Sequence, residues 1–103
     1  MARANYDGVI EAVRYTANGK IDFVRAYKRH GATFSDRILL RRGELLEQLK
    51  KGQRFVTGQR KEYLGSTFET GKTVKWSSQN GEGIILTDGQ TSKHDFLESV
   101  PIL

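Results

Sequence analysis

The most informative pattern of apolar and polar positions runs from Tyr6 to Lys28, two apolar-rich stretches that flank Ala17-Asn18-Gly19. Asn-Gly suits a two-residue type I′ hairpin, which pairs Arg14 with Phe23, Ala12 with Arg25 and Tyr15 with Asp22. A three-residue loop with Gly19 left-handed as a G1 bulge pairs Tyr15 with Ile21, Val13 with Phe23, Glu11 with Arg25 and Val9 with Tyr27 on one face. Its other face carries Arg14 with Asp22, Ala12 with Val24 and Ile10 with Ala26. This second register is the expectation, because it gives each charge an opposite partner and gathers the bulky groups on a face that enters the main core. The Ala12, Val24, Ile10 and Ala26 face is smooth enough for a helix to lie on it, or for the sheet to curl over it as small barrels do.

The same device recurs at Ser78-Gln79-Asn80-Gly81-Glu82. The matching bulged register sets Trp76 against Ile84 and Val74 against Leu86, in strands near 72–77 and 83–87, and makes Trp76 a core residue. Asp88-Gly89 marks a further turn, and the segment Asp95 to Val100, stopped by Pro101, reads as a last strand. One helix is expected over Gly43 to Lys51. Leu45, Leu46 and Leu49 form its apolar stripe, Glu44 and Glu47 sit early, Lys50 and Lys51 late, and Gly52 is placed to end it. Gly43 would interrupt a backward extension through Ile38-Leu39-Leu40, so 35–41 is read as a third strand ending near Arg41. Gln53 to Thr57 is a fourth strand, and 58–71 a loop with a short strand near Tyr63 or Phe68.

The resulting order is β-β-β-α-β-loop-β-β-β. It predicts an α+β, mainly β single domain over residues 1–103: a small antiparallel, twisted or barrel-like sheet with one short helix, in the strand order of an oligonucleotide-binding or SH3-like fold. One core is expected at this length.

Composition narrows the chemistry. The chain has no cysteine, which excludes disulfides, thiolate metal sites and a cysteine nucleophile. Only His30 and His94 are available as imidazoles, too few for a zinc site built on three histidines. No stretch approaches the about 18 consecutive apolar residues that span a bilayer, and Met1 to Asn5 lack the apolar run of a secretory signal, so a cytoplasmic location and no membrane association are expected. Gly65-Ser66-Thr67-Phe68-Glu69-Thr70-Gly71-Lys72-Thr73 approximates a phosphate loop. It holds one residue too many between its glycines and leads into a strand where the motif needs a helix, so nucleotide hydrolysis is not expected. No catalytic group, cofactor or metal ligand is assigned.

Charge is unevenly distributed. Residues 1–61 carry 14 Lys/Arg against 6 Asp/Glu, whereas residues 62–103 carry 3 against 6. A helix C-terminus accounts for Lys50 and Lys51, and Glu11 accounts for Arg25. Lys28, Arg29, Arg37, Arg41, Arg42, Arg54, Arg60 and Lys61 remain without a local structural explanation, among aromatics on which bases could stack. They are the expected contact residues for a polyanion, nucleic acid first. The alternative is a protein-interaction module or homodimer that uses the apolar segment Phe96, Leu97, Val100, Ile102 and Leu103, unless that segment docks on its own domain.

Overall fold

The computed structural model describes residues 6–30, 33–35, 37–60, 68–79, 82–88, 94–98 and 100–103. Strands β1 (Gly8–Tyr15) and β2 (Ile21–His30) form the first hairpin, followed by β3 (Thr33–Phe34), β4 (Ile38–Arg41), helix α1 (Arg42–Lys50), β5 (Phe55–Arg60), β6 (Phe68–Gln79) and β7 (Glu82–Thr87). The described residues are mainly β with one short helix, as the pattern predicts. The sheet runs β3-β2-β1-β5-β6-β7, with β4 beside β3 on the outer edge of β2. It is mixed, because β1 and β5 pair in parallel, and it is not closed into a barrel. The fully antiparallel, barrel-like expectation is corrected on both points. Among the described residues no helix is long and apolar enough to cross a membrane.

The first hairpin combines the two registers weighed from sequence. At its turn Gly19 has φ +79°, and Thr16 and Lys20 bracket a three-residue loop in which Thr16 N donates to Lys20 O at 2.7 Å. Tyr15 lies opposite Ile21, as expected, and so do Val9 and Tyr27 and Ile10 and Ala26. Between them the pairing slips: Val13 faces Val24, Ala12 faces Arg25 and Arg14 faces Phe23. The expected Val13–Phe23 and Glu11–Arg25 backbone pairs are therefore absent. Two bulges make the difference, leaving Asp22 and Glu11 unopposed.

Their physical reason lies in face parity. In an unbroken strand, residues three apart point to opposite faces. Each bulge absorbs one residue, so Ile10 joins Val13, and Ile21 joins Val24, in one core cluster. That cluster also takes Ala26, Leu40, Leu45, Leu49, Phe55, Val74 and Ile85. The helix thus rests on the Ile10, Val24 and Ala26 side of the sheet. The opposite side holds a smaller cluster of Val9, Tyr27 and Phe68, with Tyr6, Phe34 and Val56 against it.

The helix begins one residue earlier than predicted, at Arg42, with Arg41 N donating to Glu44 Oε1 at 3.2 Å. Gly52, at φ +89°, follows its end. Of the segment 58–71, read as a loop with a short strand near Tyr63 or Phe68, the described residues are strand: β5 runs to Arg60 and β6 starts at Phe68, and the two pair antiparallel. Tyr63 and the turn glycines at 65, 81 and 89 lie outside the described residues. The second hairpin takes the two-residue loop, with Gln79 opposite Glu82, Trp76 opposite Ile85 and Val74 opposite Thr87. The bulged register predicted there is corrected: each pairing is shifted by one residue, leaving two residues between the strands. Trp76 is also corrected. It is 39% exposed at the rim of the core, with Lys50 Nζ 5.2 Å from its ring centroid.

The expected last strand is instead an irregular segment. Phe96 bridges Leu86, and Pro101 to Leu103 return to β1, where Val13 N donates to Pro101 O and Leu103 N donates to Val13 O. Leu97 and Val100 dock in the main core, whereas Phe96, Ile102 and Leu103 stay exposed. Asp95 anchors this segment. Only 1% exposed, it accepts hydrogen bonds from Ile21 N at 2.7 Å, Ile85 N at 2.9 Å and Arg42 Nε at 2.7 Å. Arg42 also donates to Gly83 O. One carboxylate thereby joins β2, β7 and the first turn of α1.

Candidate polyanion-binding face

The bulge at Glu11 sets the geometry of the outer face of β1, β2 and β4. Arg14, Phe23 and Arg41 stand opposite one another across the three strands, and Ala12, Arg25 and Leu39 form the next row. Directly opposed residues share a face, so Arg14, Arg25 and Arg41 come together, with Arg37 just ahead of β4. Arg41 lies over the Phe23 ring, 5.8 Å from its centroid, and pairs with Asp22 at 3.1 Å. Four guanidiniums on this face meet two carboxylates, Glu11 and Asp22.

Glu11 is 7% exposed and organises the middle of the face. Its Oε1 lies 2.7 Å from Arg25 Nε and 2.8 Å from Arg37 Nε. Neither contact has the alignment of a hydrogen bond at Glu11 Oε1, so charge holds them. Tyr27 donates its hydroxyl proton to Glu11 Oε2 at 3.1 Å and accepts from Arg37 Nε at 2.8 Å. The Tyr27 bond, then the nearby Glu11 charge, push the Arg37 pKa above its ordinary value. A cavity of about 250 Å³ opens beside these groups, walled by Glu11, Arg25, Tyr27, Arg37, Gln59 and Pro101.

The eight residues singled out from sequence do not form one patch. Arg37 and Arg41 are on this face. Arg29 and Arg54 meet at Asp7, which pairs with Arg29 Nη2 at 3.0 Å and accepts from Arg54 N at 2.8 Å, tying the starts of β1 and β5 to the end of β2. Arg42 turns inward to Asp95. Lys28 is half-buried at the end of β2, opposite Gly8. The side chain of Arg60, and Lys61 altogether, lie outside the described residues. Arg29, Arg37, Arg41 and Arg42, which have no local partner along the chain, each have a carboxylate from another segment, reached only on folding.

Two cations of the face were not among the eight. Arg25 was set aside as the partner of Glu11, and Arg14 was paired with Asp22. The signal for Arg14 was present in the alternative register, which opposes it to Phe23.

Nothing in the described residues gathers three or more His, Asp or Glu side chains to hold a metal ion. His94 is exposed, with its ring Nδ1 3.1 Å from the Asp95 carbonyl; the His30 side chain is outside the described residues. Gly71, Lys72 and Thr73 of the near phosphate loop lie within β6, where Lys72 N donates to Thr57 Oγ1 at 3.0 Å. No family model, no curated protein and no solved structure matches the chain.

Proposed function

We propose that the chain is a non-catalytic binding domain that takes a polyanion, single-stranded nucleic acid first, on the outer face of β1, β2 and β4. The observation that carries this reading is the row Arg14, Phe23, Arg41, two guanidiniums flanking an aromatic ring across three adjacent strands. Cations along a phosphate track and a flat ring between them are the two ingredients of sequence-tolerant strand binding. Arg25 and Arg37 extend the track, and the side chains of Arg41 and Arg37 are 71% and 61% exposed despite their ion pairs. The Arg41–Asp22 pair is solvent-accessible, with side chains 71% and 36% exposed, and contributes little to stability, so a phosphate can replace Asp22 at small cost.

The test is binding of a short single strand to the wild type and to Arg14→Ala with Arg41→Ala. Loss of binding there, and retention in Lys50→Ala with Lys51→Ala at the far end of the helix, supports the reading. Arg42 is unsuitable for this test because it holds Asp95. Exposure of Ile102, at 73%, and Leu103 favours the second reading, a protein-interaction module or homodimer. A concentration-dependent mass in sedimentation, abolished by Ile102→Ser, distinguishes it.

A further inference from the structure

We infer that the cavity over Glu11 is a phosphoryl site, in which Arg25 and Arg37 clamp a terminal phosphate of the strand; this deepens the proposed function and rests on it. A guanidinium presents five N–H donors in a planar fork that matches phosphate geometry. Arg25 Nε and Arg37 Nε lie 2.7 and 2.8 Å from the same carboxylate oxygen, Glu11 Oε1, and Arg37 Nε donates to the Tyr27 hydroxyl. Their Nη groups have no acceptor among the described residues, and both side chains line the cavity. Glu11 acts as a positioning residue: buried and fixed by the Tyr27 hydroxyl, it holds two guanidiniums by one edge and leaves the other edges for a ligand.

Glu11 Oε1 and Arg25 Nε are buried against each other, 2.7 Å apart, which fixes this half of the clamp. The cavity, about 250 Å³, falls below the size range of pockets for whole drug-sized ligands and suits a small group.

Charge selects among such groups. Arg25, Arg37 and Glu11 leave one net positive charge, with Arg14 and Arg41 next to them on the face. A phosphate monoester carries about −1.5 to −2 at neutral pH, more than an internal diester, and presents three strong acceptor oxygens. An internal phosphodiester has chain leaving on both sides and fits an open track; a terminal phosphate enters a concavity end-on.

The experiment measures binding of one oligonucleotide sequence with a phosphate at its 5′ end, at its 3′ end, or at neither, and of inorganic phosphate. One phosphorylated form should bind roughly tenfold or more tightly than the unphosphorylated strand, the scale of one charge-assisted hydrogen bond. Arg25→Lys with Arg37→Lys keeps both charges and loses the forks. This variant should erase the preference, weakening the phosphorylated strand more than the unphosphorylated one until the two bind alike, with thermal unfolding confirming that it is folded. Equal affinity for all three strands overturns the clamp and leaves the arginine face standing, as does a preference that survives in the lysine variant. If no strand binds but inorganic phosphate does, and the lysine variant loses it, the clamp stands for free phosphate and the strand reading fails.

Discussion

Replacing Asp95 with alanine removes the acceptor on which three segments converge. The backbone N–H groups of Ile21 and Ile85 lose their partner inside the core, and Arg42 is left half-buried beside Gly83 without its carboxylate. An orphaned buried donor costs about 1–3 kcal/mol, and breaking one side of a buried ion pair about 3–5 kcal/mol. The losses overlap because one carboxylate serves all of them. We therefore expect about 4–6 kcal/mol, a large part of the roughly 5–15 kcal/mol available to a domain of this size. Urea unfolding followed by far-ultraviolet circular dichroism at pH 7 measures it. Burial pushes the Asp95 pKa up, but hydrogen bonds from Arg42 and the amides of Ile21 and Ile85 outweigh it and hold the group below its ordinary value. A carboxylate lowered on folding contributes stability above its unfolded pKa and loses it as pH falls through the folded value. The wild type should lose stability as pH drops below about 4, and Asp95→Asn should show a smaller loss over the same interval. A cost under about 1 kcal/mol for Asp95→Ala, below even one stranded donor, would refute the anchoring role.

Three further outcomes follow from the packing. Gly58→Ala should destabilise by about 1–3 kcal/mol in denaturant titration, because a Cβ at this position runs into the Glu69 carbonyl oxygen and Thr70 Cα of the paired strand. Trp76→Ala should cost about 1 kcal/mol, the scale of an exposed cation–π contact, rather than the roughly 3–5 kcal/mol of a core aromatic; the same titration separates the two. Magnesium-ATP at millimolar concentration should leave the amide resonances of Gly71 to Thr73 unmoved in a heteronuclear NMR titration, since these residues are strand.

The helix and both hairpins were legible because their signals are local: Leu45, Leu46 and Leu49 at helical spacing, Gly52 behind them, and two Asn-Gly pairs between apolar stretches. What the sequence hid was non-local. The bulges at Glu11 and Asp22 cannot be read from alternation, because each is the residue that breaks it. They arise because Ile10 with Val13, and Ile21 with Val24, must share the core. Arg14 beside Phe23 is legible only in the two-residue register, and Arg41 joins them only through the pairing of β4 with β2. The parallel pairing of β1 with β5 depends on the chain's path after the helix. The ion pairs of Arg29, Arg37, Arg41 and Arg42 join segments 19 to 53 residues apart, or 22 and 26 for the first two. Cations that look unpartnered along the chain therefore find partners in the fold, and the patch expected from composition divides into a face, a strand-end tie and an inward anchor.

The central claim is that the arginine face, and not the overall positive charge, binds a single strand. The most direct measurement is the salt dependence of affinity for a short single-stranded oligonucleotide, wild type against Arg14→Ala with Arg41→Ala. Each phosphate contact contributes a log-log slope of roughly −0.7 on a single strand. The account predicts binding at about 50 mM salt that weakens steeply as salt rises, with the slope reduced by about 1.4 when the two contacts are removed. No binding by the wild type at that salt, or a slope unchanged by the double substitution, would contradict it.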